Sequence, residues 1–264
     1  LVQWLALGAI LAGYWAWFAA APLPGPGFDA TTVGVPAPWE HGLTGFAAHW
    51  NKNMNPAHHF DVWFLNLFPR EKPFLYNGGG YLTLSFIPTL GTMLLGLLAG
   101  QWLRREDLTP SARVRTLFVA GLAGLALGTA LDLAGICPSV KRIWTPSWVL
   151  FSGGWCCLFL GTFHALTEVA RWRAWAFPLV VIGANSIFTY CIAHLWDGFF
   201  GRLLTTHLST LRVWLAGLPP AASIPDFWQA VGGPYAPFWK GAAVLFLIWL
   251  CCHWLWRRRV FIRI

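Results

Sequence analysis

The chain has 264 residues, 57% hydrophobic and only 11% charged, with a mean hydropathy of +0.55. A soluble domain carries about 25% charged residues, so the bilayer is the expected solvent. The net charge of +8 is split among short arginine clusters at the edges of apolar runs, which argues against a nucleic-acid surface. The chain opens on Leu1 inside an apolar segment, with no basic leader or cleavage pattern, and reads as the C-terminal part of a longer polytopic protein.

A spanning helix needs about 20 mostly apolar residues. In chain order, six segments qualify: 2–21, 82–103, 117–134, 148–169, 174–200 and 241–256. The expected fold is therefore all-α, a polytopic transmembrane helix bundle of about six spans forming one domain over 1–264. Trp is abundant at 19 residues, many near the ends of these runs, as in an aromatic belt at the headgroup level. Of the six Cys, Cys156, Cys157, Cys191, Cys251 and Cys252 lie in apolar runs and Cys137 at a helix end, with no C-x-x-C pair. They read as small apolar residues, neither a disulfide framework nor structural zinc.

Basic residues set the expected orientation. Arg104, Arg105, Arg113, Arg115, Arg171, Arg173 and the tail "RRRVFIR" bring ten basic residues to one side against Glu106, Asp107 and Glu168. The other side carries eight basic residues against seven acids. Short loops rich in Arg mark the cytoplasmic face, so both ends of the chain are expected there, in a bacterial inner membrane. Segments 22–81 and 201–239 are then outer loops.

The first outer loop has internal pattern. "AHHFDVWFLNLF" places Phe60, Trp63, Phe64 and Leu67 on one stripe, which suits a short helix at the membrane surface. His41, His49, His58, His59 and Asp61 crowd this loop without metal-ligand spacing and read as exposed loop residues, with no metal site expected. "YNGGGY" is a turn into the second span, and its backbone N–H groups leave an anion site as the alternative. Further on, "GLAGLALG" (121–128) suits close helix packing. Asp132 is expected to pair with Lys141 or Arg142, and His164 with Glu168 on one helix face.

Two stretches carry unusual polar groups. In "CPSVKRIWTPSWVLFSGG", Lys141 and Arg142 stand beside a helix start that Thr145 or Ser147 could cap, which suits an anionic ligand or lipid phosphates. In "GANSIFTYCIAHLWD", Ser186, Tyr190, His194 and Asp197 share one arc of the helix with Gly183, and Asn185 and Thr189 flank it. Charge at the bilayer centre costs about 2.5–3.5 kcal/mol, so this face is expected to meet other helices or a wet cavity. It reads either as a substrate or proton path or as hydrogen-bonding glue between helices.

Those two stretches, with "FLNLFPREKPFLYNGGGYLTLSFIPTLGTMLLGLLAG", resemble the C-terminal part of the heparan-alpha-glucosaminide N-acetyltransferase family, especially its bacterial members. Pro138, Lys141, Trp144, Thr145 and Ser147 match the family's P-x-x-K-x-x-W-T-x-S pattern. Gly183, Asn185, Ser186, Ile187, Tyr190 and His194 match its G-x-N-S-I-x-x-Y-x-x-x-H. The resemblance implies an acyltransferase that takes an acetyl group from cytoplasmic acetyl-CoA, with no metal, and passes it to an amino sugar or glycan on the periplasmic side. It points to Lys141, Arg142, Trp144, Ser147, Asn185, Ser186, Tyr190 and Asp197 as binding residues. The family's catalytic His lies in an early loop after an S-L-D-x-x-R-G start that this chain lacks, so no residue inherits that role. His194 and Asn185 are weak candidates for it. A transporter of sugars or small molecules, and a non-catalytic scaffold half, are the alternative readings. The partners expected are the bilayer, the acceptor and, as an open alternative, a second copy of the chain.

Overall fold

The computed structural model describes residues 1–215, 217 and 227–262, apart from the side chain of Asp197. It is all-α, and the described residues include no strand. Five helices are long and apolar enough to cross a membrane, six if one bent pair counts as a span, as in an integral multi-pass membrane protein. The helices fall into two compact units, Leu1–Arg171 and Trp172–Ile264.

The first unit holds α1 (Val2–Ala19), α2 (Pro56–Leu65), α3 (Phe86–Leu103), α4 (Pro110–Leu133) and α5 (Pro146–His164). Pro sits in the first turn of α2, α4 and α5, where its missing N–H costs nothing. Thr109 caps α4 by accepting from the Ala112 N–H at 3.2 Å. Because of that cap, α4 begins seven residues before the expected span.

The expected close packing of "GLAGLALG" is present. A methyl group added at Gly128 would stand 2.7 Å from Phe151 N and Ser147 O, and one at Gly154 would stand 2.7 Å from Gly121 O. The backbones of α4 and α5 therefore touch, an approach that any larger side chain would block. The expected His164–Glu168 pair does not form. The chain passes into a π-helical turn over Ala165–Val169, which shifts the helical register, and His164 Nε2 is enclosed without a partner.

The long segment after α1 folds back over the helix ends. Tyr14 and Phe18 of α1 pack with Trp50, Ala57, Leu82 and Ile143 in one buried cluster. The Phe18 and Trp50 rings stack at 6.2 Å, and Tyr14 Oη donates to Ile143 O at 3.1 Å. The loop is thus part of the core.

The second unit holds α6 (Phe177–Ala184), α7 (Ser186–Leu215), α8 (Phe227–Gly232) and α9 (Ala236–Arg257). Here two expectations fail. The segment 174–200 is not one continuous helix: Ala174–Ala184 and Ser186–Trp196 are bent by 73° at Asn185. Asn competes with the backbone for hydrogen bonds in a helix interior, which favours a break there. Nor is 201–239 a plain loop, since α7 continues through Leu215 and α8 follows. Val181, Ile192, Val244, Ile248 and Cys252 form the buried core of this unit.

Candidate functional site

The site begins with α2. The Asn55 side chain accepts the His58 N–H at 3.0 Å and starts the helix, with Pro56 next. The helix then buries Ala57, His58 and Asp61. Its aromatic stripe faces the other way. Phe60 stacks on Phe64 at 5.3 Å, and Trp63 and Leu67 are each 60% exposed. The helix is amphipathic as expected, but the polar face is the one turned into the protein.

His58 and Asp61 are therefore not the exposed loop residues that the sequence suggests: they are 3% and 2% exposed. Their burial follows from partners far along the chain. Asp61 accepts the Thr83 N–H through both carboxylate oxygens, at 3.2 and 3.0 Å. Thr83 opens the turn that leads into α3, so the carboxylate serves as the anion at that helix start. Next to it, His58 Nδ1 is enclosed with no hydrogen-bond partner. Burial and the neighbouring His59 hold the His58 imidazole below the usual histidine range, against the opposing pull of Asp61.

Asn53 completes this corner. It sits at φ +54° and donates from Nδ2 to Val33 O at 2.8 Å and Asn77 O at 3.1 Å. Its Oδ1 is buried without a partner. Asn53, His58 and His59 line a cavity of about 580 Å³ whose other walls include Phe28, Met54 and Trp63. Two unpaired polar atoms, a neutral imidazole and an apolar wall meet in one place.

A second cleft of about 360 Å³ holds the expected cations. Lys141 and Arg142 line it with Lys52, Trp39, Trp50 and His41. Lys52 Nζ stands 5.2 Å over the Trp39 ring. Arg142 Nη1 donates to Gly79 O at 2.5 Å, and its guanidinium lies 5.8 Å over the Tyr81 ring. The "NGGGY" turn spends its own amides on Asn77, whose Oδ1 accepts from Gly79 and Tyr81 and whose carbonyl accepts from Gly80. Those three N–H groups are bonded within the turn, which favours the turn reading.

Around Pro146, the expected roles change. Neither Thr145 nor Ser147 caps α5 with its side chain. Thr145 Oγ1 accepts the Val140 N–H at 3.0 Å, and Ser147 Oγ donates to Pro138 O at 2.9 Å. Both are fully buried and tie down the loop that presents Lys141 and Arg142. Trp144, at φ +55°, points its indole N–H at Thr92 Oγ1, 3.0 Å away on α3. Ser147 and Trp144 thus have their polar groups bonded within the fold. Asp132 pairs with neither cation; its Oδ1 accepts the Ser139 N–H at 2.9 Å. Cys137 is buried nearby, and burial pushes its thiol up.

The α7 stripe behaves unlike its expectation. Ser186, Tyr190 and His194 are exposed, on the side of α7 turned away from Ile192 and the buried core. Among the described residues of this unit, no helix covers them. His194 makes a local contact: its ring stacks on Tyr190 at 4.0 Å, and its Nδ1 lies 3.0 Å from Tyr190 O. Thr189, on the flank, reaches Cys252 Sγ at 3.1 Å. Asn185 is fully buried at the bend, where its Oδ1 accepts the Ile262 N–H at 2.8 Å. It holds the segment after α9, and its Nδ2 is buried without a partner. The side chain of Asp197 lies outside the described residues.

His58, Asp61 and Asn53 are the residues that sequence reasoning passed over. The usable signal was the Asn55–Pro56 helix start, with His58 and Asp61 three apart on the face opposite the aromatic stripe. Among the described residues, no three His, Cys, Asp or Glu side chains converge as a metal site would require. No family model matches the chain, and neither does any curated protein.

Proposed function

We propose that the chain is a membrane-embedded acyltransferase that moves an acetyl group from cytoplasmic acetyl-CoA to an amino sugar or glycan on the periplasmic side of a bacterial inner membrane. The observation that carries this reading is His58: a buried imidazole, held neutral, at the wall of a ligand-sized cavity. The resemblance of the "PSVKRIWTPS" and "GANSIFTYCIAH" stretches to the N-acetyltransferase family supports it, as does the clustering of arginines on the opposite loops.

In this reading His58 is the general base. Acyl transfer to an amine forms the bond from nitrogen to the acetyl carbon and breaks the carbon–sulfur bond of the thioester. The nitrogen gives up one proton, which the neutral imidazole accepts and then returns to the departing thiolate. Asn53 Oδ1, buried without a partner, would accept a hydrogen bond from the acceptor. Lys52, Lys141 and Arg142 would hold a negatively charged part of it. Asp61 is committed to Thr83 and acts on His58 through its charge.

The test uses the protein in sealed proteoliposomes, with radiolabelled acetyl-CoA at the arginine-rich face and glucosamine-type acceptors at the other. Label on the acceptor, lost in His58→Gln, supports the proposal. Acceptor that crosses unmodified, without consumption of acetyl-CoA, would replace it with a transporter, for which the break between α6 and α7 is the suggestive feature.

A further inference from the structure

The His58 cavity and the Lys141 cleft, both in the first unit, differ in chemistry, and the difference bears on the acceptor. The cleft at Lys141 is lined by three cations. Among the described residues, no Lys, Arg, Asp or Glu lines the cavity at His58. Its polar groups are Thr32, Asn53, His58 and His59, and the rest of its wall is apolar.

The apolar part of that wall is also the part that opens outward. Leu23 is 44% exposed, Phe28 47%, Trp63 60% and Leu75 63%. Leu67 and Phe68, 60% and 55% exposed, extend the surface beyond α2, and Phe68 packs on Phe64 at 5.3 Å. An exposed apolar patch of this kind marks a surface that meets lipid or an apolar ligand. Its level is set by the chain: Pro22 and Leu23 follow within four residues of Ala19, the last residue of the apolar helix α1. The mouth therefore lies beside the end of a candidate membrane span.

We infer that this cavity takes a membrane-anchored amphiphile: an apolar chain lying along Leu23, Phe28, Trp63 and Leu75, with an amine- or hydroxyl-bearing head at Asn53 and His58. The inference rests on the acyltransferase reading for what happens to the head, and it names the acceptor as lipid-linked. Two facts select an amphiphile over a free sugar. A freely soluble, strongly hydrated ligand gains little from an uncharged apolar wall. Asn53 Oδ1 and His58 Nδ1 are nonetheless buried polar atoms without partners, and such atoms favour a ligand that brings hydrogen-bonding groups to them. A volume of about 580 Å³ is ample for a sugar-sized head or several chain carbons.

The test compares one amino sugar, free and as its long-chain alkyl glycoside, as acceptors for the protein in proteoliposomes. The glycoside is expected to exceed the free sugar by at least about tenfold in kcat/KM, from burial of several methylenes. Partition of the glycoside into lipid would raise its rate with any variant, so Trp63→Gln is the control that isolates the cavity. It is expected to abolish most of the preference, and a preference unchanged in Trp63→Gln overturns the inference. Equal use of both acceptors overturns it too, while leaving the acyltransferase reading intact. If neither acceptor is acetylated, that reading fails, and the inference is decided by photo-crosslinking with a diazirine-bearing alkyl glycoside. Label on peptides containing Phe28, Met54 or Trp63 sustains it. Label confined to other segments rejects it.

Discussion

The polar residues of α2 and those of α7 exchange the fates their surroundings suggest. His58 and Asp61 lie in a loop, where polar side chains ordinarily face water, and both are buried. Ser186, Tyr190 and His194 lie in an apolar run, where polar side chains ordinarily seek cover, and all three are exposed. Hydropathy along the chain describes the average environment of a segment. It does not describe which face of a helix the rest of the fold covers. The α2 face is covered because α1 and the start of α3 both meet it, and the α7 face is bare because α9 packs on the other side.

This contrast can be broken at either end. The largest effect is expected at His58. His58→Gln should lower acetyl transfer by about 10²–10⁴-fold, the range for loss of a general base, with the fold retained in thermal unfolding. Undiminished transfer would move the chemistry away from α2. Next comes Asp61→Ala, which strips the Thr83 N–H of its charged acceptor. It should destabilise the protein by about 1.5–3 kcal/mol, measured by denaturant unfolding in detergent. Asn185→Ala removes the hold on the Ile262 amide and should cost about 1 kcal/mol, with faster hydrogen exchange at that amide as the readout. The smallest effect belongs to His194→Ala, within about 0.5 kcal/mol, as for a surface substitution, and without loss of transfer. A loss there comparable to that of His58→Gln would restore the α7 stripe as the working site.

The pH dependence sharpens the same comparison. The His58 imidazole is held below the ordinary histidine value of 6.5, by burial first, then by His59, against Asp61. Below that value the unfolded chain takes up a proton that the folded chain resists. The contribution is therefore intact above about pH 6.5 and is lost as the pH falls through the histidine range. The transfer rate should rise with pH to a plateau, with an inflection below 6.5 in the pH–kcat/KM profile. An inflection at or above that value would show a base other than a buried histidine.

The legible parts of the fold were those decided locally. Spans could be read because length and apolarity belong to one segment. The α4–α5 contact could be read because spaced glycines have few other uses in such a helix. The bend at Asn185 was signalled only by one Asn in an apolar run, which helix glue explains equally well. His58 and Asp61 were least legible. Their burial depends on Thr83, 22 residues further along, and on Tyr14 and Phe18 in the first helix, and no window of sequence contains all of these. Lys141 and Arg142 were legible as a pair of cations. Lys52, which shares their cleft, comes from a loop about 90 residues earlier.

The inverted burial of α2 also bears on the order of biogenesis. The helix is synthesised before Thr83, so for a time the Asp61 carboxylate has only water to accept from. During that interval the aromatic stripe can rest on the lipid surface with the polar face toward water. When the following span inserts, the Thr83 amide replaces water at Asp61, and the polar face passes from solvent to protein. The aromatic face need not move at all. A helix arranged in this way keeps the surroundings of its aromatic face, and the second span closes over its polar face alone.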